Sequence, residues 1–259
     1  MTAPGHPGML WRLRARLRPW HRQRWFMIVA GYSFALLTGM AVARWLDGTG
    51  DWQKGLPWER DYLGSMRGLL PRAFDGPLLA ISWLGTNITL LPVSLVVIAW
   101  LILGQRRYHE AVYIAVVQAG SNSLNPALKF LYGRNRPDII PRRGWFDWDA
   151  YPSGHAIASV AVLMTLAVVL YRVKGWRWPT YTGLPILALS LFSRTYLGVH
   201  WPTDVIGGAL VGLVWLGFTF FAFREDGRRS GGLTGFRDNG LSGFPDDNPT
   251  TQQPVKPTP

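Results

Sequence analysis

The chain has 259 residues, of which 48% are hydrophobic, 14% aromatic and 16% charged, and it contains no cysteine. The charged share lies well under the roughly 25% of an ordinary globular protein, and the missing cysteines exclude a disulfide framework, thiolate metal sites and a cysteine nucleophile. A formal charge of +12 would suit nucleic acid or an anionic membrane; because charge is confined to gaps between long uncharged stretches, the membrane is the better reading.

Residues 1–24 form a basic arm, with Arg12, Arg14, Arg16, Arg18, Arg22 and Arg24 leading straight into the first apolar run. Attraction to anionic lipid accounts for that charge, so no nucleic-acid partner is expected. Trp25–Ala43 is 19 residues without a charge. At about 1.5 Å per residue it crosses a hydrocarbon core of about 30 Å. It is longer than the apolar part of a signal peptide and ends in Arg44-Trp45 rather than a small-residue cleavage site, which predicts a retained helix.

Residues 44–76 mix charges of both signs with Gly, Pro and Trp, and segments such as Tyr62–Leu70 suit short amphipathic helices on the membrane face. The second uncharged run is Pro77–Gly104 and the third Ala111–Leu128. The second half of the third is polar (Gln118, Ser121, Asn122, Ser123, Asn125), as expected of a span whose polar side chains turn toward other helices or a cavity. Asn122 and Asn125 read as helix–helix hydrogen bonds. After a loop rich in Arg, Pro, Trp and Asp come three more runs, Ala156–Tyr171, Pro179–Ser193 and Val205–Phe223, the first two short enough to need flanking residues. Beyond Phe223 the composition cannot bury enough apolar surface to order itself, so 224–259 is expected as a disordered polar tail.

The predicted architecture is all-α: a polytopic membrane protein with six transmembrane helices over 25–223, no separate soluble domain, and both termini cytoplasmic. Short, almost purely basic segments set the orientation: the amino-terminal arm, Arg106-Arg107, Arg172/Lys174/Arg177 and Arg224/Arg228/Arg229 fall on one side. The opposite segments hold nearly as many cations, but those in 44–76 sit beside five acidic residues. Tryptophans 25, 45, 83, 176, 178 and 201 flank the runs as interfacial aromatics do.

Three clusters fall at span ends on the predicted outer face: Lys129 through Arg136-Pro137, Pro152-Ser153-Gly154-His155, and Ser193-Arg194 through His200 to Asp204. Together they supply three cations, two imidazoles and a carboxylate. A phosphate ester spreads negative charge over its equatorial oxygens in the transition state, which Arg meets with a planar fork and Lys with a point charge. Ser153 and Gly154 lie just before a helix, where backbone N–H groups and the helix dipole favour an anion. His200 and Asp204 are four residues apart, one turn if the last helix reaches back that far, so the carboxylate can hold one ring nitrogen and leave the other to attack phosphorus. Pro202 suits the first turn of that helix. His155 would serve as general acid for the leaving oxygen and then as base for water.

The full pattern, Lys-x6-Arg-Pro, Pro-Ser-Gly-His and Ser-Arg-x5-His-x3-Asp, resembles the type 2 phosphatidic acid phosphatase (PAP2) superfamily, with every signature position intact between Lys129 and Asp204. The resemblance implies a phosphohistidine intermediate and no metal or other cofactor. It also implies His200 as nucleophile, Asp204 as its orienting partner and His155 as acid/base. Lys129, Arg136, Ser153, Gly154 and Arg194 would be the phosphate ligands.

Simpler readings stand beside these. Lys129, Arg134 and Arg136 at a span exit suit lipid-headgroup anchors, and for Arg134, Arg142 and Arg143, outside the signature, the anchor reading is preferred. His21 and His109 read as interfacial or capping residues, and Asp204 on its own reads as a helix cap. Acidic residues of 138–149 are an incidental cation site at most.

The expected activity is hydrolysis of a membrane lipid mono- or diphosphate on the outer face of a bacterial cytoplasmic membrane. Undecaprenyl diphosphate is the favoured substrate, with phosphatidic acid or phosphatidylglycerol phosphate as alternatives. From other classes, a related fold binds vanadate and oxidises halides, but its members are soluble. A lipid-binding or transport protein with a vestigial site is disfavoured by the intact motifs. Oligomeric state is not legible.

Overall fold

The computed structural model describes residues 9–66, 68–142 and 149–224, with side chains from residue 22 onward. The predicted polar tail, apart from Arg224, lies outside the described residues, as does Arg143. Among the described residues the chain is helical with no strand: α1 (Met9–Asp47), α2 (Pro57–Met66), α3 (Asp75–Leu84), α4 (Asn87–Ala99), α5 (Tyr108–Leu131), α6 (Gly154–Ala158), α7 (Met164–Lys174), α8 (Trp178–Tyr196) and α9 (Pro202–Ala222). Wider π-type turns at Trp100–Gly104 and Ser159–Leu163 extend α4 and join α6 to α7. Four helical stretches are long and apolar enough to cross a membrane: Arg22–Asp47, Asn87–Gly104, Gly154–Lys174 and Pro202–Ala222. α5 and α8, at 24 and 19 residues, have the length but carry more polar side chains.

Two boundaries differ from expectation. α1 is continuous from Met9, so no break marks the junction of basic arm and first apolar run. The run Pro77–Gly104 is two helices, not one. Gly85 follows the end of α3, and Thr86, in extended conformation, caps α4 by accepting the Thr89 N–H at 3.3 Å. The Gly-Thr-Asn sequence supplies a helix stop and an N-cap inside an otherwise uncharged stretch.

α9 is the central helix, packed along α1 and across α6. Its glycines let backbones approach: a Cβ at Gly208 would lie 2.5 Å from the Ser153 carbonyl oxygen, and one at Gly212 3.0 Å from that of Ile157. Small residues of this kind are how helices associate where lipid tails are as apolar as the side chains. Leu124, Leu128, Ile157, Ala161, Val211 and Trp215 fill the core, while Phe26, Phe34, Ile88, Val96, Leu213 and Phe221 are exposed around the outside. An apolar perimeter around a packed centre fits a lipid solvent.

Within the bundle α4 and α5 share a buried polar chain. Ser94 donates to Gln118 Oε1 at 3.0 Å, and Gln118 Nε2 donates to Asn122 and Asn87 at 3.0 and 3.3 Å. The bridge between helices is thus made by Gln118, not by Asn122 or Asn125 as expected. Among the flanking tryptophans, 25, 45, 83, 176 and 178 are exposed, but Trp201 is 1% exposed and belongs to the core beneath the site. α2 covers part of the tract expected to lie on the membrane face, yet buries Glu59, Leu63 and Met66 against the rest of the protein.

Candidate active site

The carboxyl ends of α5 and α8 and the amino ends of α4, α6 and α9 meet at one end of the bundle. There the three sequence motifs are stitched together through backbone. Arg136 Nη1 donates to the Val199 carbonyl at 2.5 Å, tying the first motif to the third. The Ser153 N–H donates to the Asp204 carbonyl at 3.0 Å, tying the second to the third. The Ala150 N–H donates to the Arg134 carbonyl at 2.8 Å, and the Trp201 indole N–H to the Asn135 carbonyl at 2.9 Å. Residues distant in sequence are held in register largely through backbone carbonyls.

Lys129, Arg136, Gly154, His155 and His200 line one cavity of about 320 Å³, with Asn125 and Pro126 completing its wall. Lys129 sits in the last turn of α5 and donates to the Asp149 carbonyl. Gly154 opens α6, so its N–H and that of His155 are among the unpaired donors of a helix start. A Cβ at Gly154 would stand 2.6 Å from Asn125 Nδ2, so glycine is what lets the backbone come this close to α5. Arg194, 1% exposed near the end of α8, donates to Ser82 Oγ and lines an adjoining cavity of about 550 Å³. That second cavity shares Asn125, Gly154 and His155 with the first and continues past Thr86 and Asn87 to the apolar Leu79, Trp83 and Ile88.

His200 is not on a helix. α8 ends at Tyr196 and α9 starts at Pro202, so the last helix does not reach back to it. A tight turn presents it instead, closed by the Val199 and His200 N–H groups on the Arg194 carbonyl (3.2 and 3.3 Å) and by Gly198 at φ +69°. Its Nδ1 lies 3.5 Å from Asp204 Oδ2, a contact longer than a formed hydrogen bond. Asp204 itself is fully buried in the first turn of α9, where Oδ2 also accepts the Trp201 N–H at 2.8 Å. The capping reading of this carboxylate holds, while Nδ1 of His200 faces it without a formed hydrogen bond among the described residues. Burial, reinforced by the positive charges of Arg136, Arg194 and Lys129, pushes the His200 imidazole well below the usual histidine range. Both effects favour the neutral ring.

Ser153 is the exception among the predicted ligands. It is fully buried at the N-cap of α6, its N–H donates to the Asp204 carbonyl, and its hydroxyl has no hydrogen-bond partner among the described residues. Among the described residues no group of three or more histidine, aspartate or glutamate side chains is placed to hold a metal ion.

Sequence reasoning missed three participants. Asn125 lines both cavities rather than bonding a neighbouring helix. Ser82, in an unremarkable apolar run, meets Arg194. Arg134, expected as a headgroup anchor, is 0% exposed and paired with Glu59 at 2.8 Å and Asp204 at 2.7 Å. Nothing in spacing links residue 59 to 134; the one signal is that Arg134 stands inside a motif whose other cations line the site. Arg142 keeps the exposed position an anchor needs.

Comparison with known proteins points the same way. Residues 110–228 match the PAP2 superfamily model. Phosphatidylglycerophosphatase B of Bacillus subtilis is 30% identical over 139 residues, 52% of this chain and 68% of that protein. Undecaprenyl-diphosphatase BcrC of Bacillus subtilis is 27% identical over 150 residues, 54% of this chain and 72% of that one. A solved structure, the transmembrane PAP2 type phosphatidylglycerolphosphate phosphatase from Bacillus subtilis, superposes with a TM-score of 0.61 at 22% identity. The match covers 75% of this chain and 94% of that one, and it supports the fold.

Proposed function

Because the chain belongs to the PAP2 superfamily and is a phosphatase, we propose that it hydrolyses a membrane lipid diphosphate, undecaprenyl diphosphate to undecaprenyl phosphate and phosphate, without a metal. One observation carries the reading: His155 and His200 face a single cavity that Lys129 and Arg136 also line. The terminal phosphoryl group occupies that cavity, its oxygens held by Lys129, Arg136 and the N–H groups at the start of α6, and Arg194 reaches it from the wall of the adjoining cavity. His200, with Nδ1 toward Asp204, attacks phosphorus through Nε2. The P–O bond to the leaving group breaks as His155 delivers a proton to the departing oxygen. His155 then takes a proton from water, the water oxygen attacks phosphorus, the P–N bond breaks, and phosphate leaves with His200 neutral again.

The lipid remainder fits the adjoining 550 Å³ cavity, whose far wall of Leu79, Trp83 and Ile88 is apolar. In this reading α5 and α8 join the four apolar stretches as membrane spans, giving six, with both termini cytoplasmic and the site on the outer face of a bacterial inner membrane. A diphosphate is favoured because the two cavities meet at His155, leaving polar Asn87, Thr86 and Asn125 to receive the second phosphate.

Detergent-purified protein in excess chelator should release phosphate from undecaprenyl diphosphate faster than from phosphatidic acid or phosphatidylglycerol phosphate at equal mole fraction. His200→Ala should lose at least about 10³-fold of that rate. Wild-type turnover in His200→Ala removes the mechanism; preference for phosphatidylglycerol phosphate removes the substrate assignment and leaves the mechanism standing.

A further inference from the structure

Arg134 lies in the middle of the first motif but takes no part in either cavity. Its guanidinium is fully buried between the rings of Trp52 and Trp201, with its centre 4.9 and 5.4 Å from theirs. Nε donates to the Trp52 carbonyl at 2.8 Å and Nη2 to Glu59 Oε2 at 2.8 Å. Nη1 donates to both Thr203 Oγ1 and Asp204 Oδ1 at 2.7 Å. Glu59, equally buried, accepts the Leu56 N–H at 2.8 Å, the Thr203 N–H at 3.0 Å and the Thr203 hydroxyl at 2.6 Å. A desolvated ion cluster survives only when every member is paired, and this one is paired throughout.

The arrangement does more than fasten α2 to the start of α9. The Asp204 carboxylate is pinned at both oxygens, Oδ1 by Arg134 and Oδ2 by the Trp201 N–H, which fixes its plane with Oδ2 toward His200. Glu59 balances the charge of Arg134, so the negative charge of Asp204 is left to answer the imidazole. We propose that Arg134, held and neutralised by Glu59, is a positioning residue that acts on His200 through Asp204. The proposal rests on the phosphatase reading above.

The test is a double-mutant cycle on the full chain in detergent, with kcat and KM measured for the wild type, Arg134→Gln, Asp204→Asn and the pair. Arg134→Gln should lower kcat on the order of 30–100-fold, the scale on which partners behind a reactive group act. KM should stay within about threefold, because Lys129, Arg136 and Arg194 are untouched. In the Asp204→Asn background the same change should cost less than about threefold more, since the group it works through is gone. Full kcat in folded Arg134→Gln, a KM that rises in step with the loss, or costs that multiply in the double variant would each overturn the proposal in favour of a purely structural clamp. Where Arg134→Gln does not accumulate as folded protein, Arg134→Lys, which keeps the charge and loses the fork, decides by the same split. If neither variant folds, the clamp reading stands and the positioning role falls. A wild type that releases no phosphate removes the phosphatase reading itself.

Discussion

In the proposed mechanism two demands meet at His200: the ring must be uncharged to attack phosphorus, and one nitrogen must be free to do so. The buried turn after α8 supplies the first, because removal from water and three nearby cations depress the imidazole pKa well below 6.5. The sign follows directly. A lowered pKa means the ring stays neutral as pH falls through the range where an ordinary histidine gains its proton. Hence kcat/KM, which reports the free enzyme, should not decline between pH 7.5 and 6.5, with its acid limb below that range. A limb centred at or above pH 6.5 would contradict the depressed value. Most of this site was legible in sequence, since Lys129, Arg136, Gly154, His155, Arg194 and His200 are chemistry-bearing types clustered at the ends of apolar runs. Glu59 was not, because a carboxylate in a mixed-charge tract looks like solvated surface until the fold brings it against Arg134. At Ser153 the residue type was legible, but the bond from its N–H to the Asp204 carbonyl was not, because it depends on how α6 meets α9.

Helix ends, more than helix bodies, position the groups of the candidate site, and the α6–α9 contact sets where two of those ends lie. Gly208 touches the Ser153 carbonyl at the very start of α6, so widening this contact moves the His155 turn relative to His200. Gly208→Val should cost ~1–3 kcal/mol of stability through overpacking, seen as a lower Tm in detergent, and should reduce kcat as well. Gly217→Val, on the same helix where nothing lies within 4 Å of the added atom, should leave both unchanged. Equal effects from the two would show that the α6–α9 approach has no special role. Uncharged runs marked the apolar stretches but not the division of 77–104. Hydropathy sees no difference between a lipid-crossing helix and two shorter ones, and the stop at Gly85 with the cap at Thr86 is a local backbone signal that three residues carry. α9's role as central helix was equally hidden, because glycines lower apparent apolarity while raising packing quality.

Across the whole molecule the two ends of the bundle differ in chemistry. One holds the cavity; at the other, Arg24 and Arg172 lie over the rings of Phe223 and Phe220, and Lys174 lies over Trp100. Basic groups at the end away from the site suit the cytoplasmic face. The absence of cysteine makes the orientation easy to test in intact cells. Ser65→Cys, exposed on α2 beside the site end, should react with a membrane-impermeant maleimide, and Arg107→Cys, exposed just before α5, should react only after lysis. The reverse pattern would place the chemistry inside. Segregated charge made the membrane legible from composition alone, whereas depth and facing depend on which ends converge, and that is a property of packing.

The break between α3 and α4 has a kinetic corollary. It lets the larger cavity run from His155 out to Trp83 and Ile88, both exposed on the flank of the bundle. A hydrocarbon tail can therefore remain among its neighbours while only the polar head slides sideways into reach, with no penalty for lifting the whole molecule into water. Such an enzyme senses how crowded its substrate is within the two-dimensional sheet, and diluting that sheet with inert lipid slows it even when the amount of substrate per millilitre is unchanged.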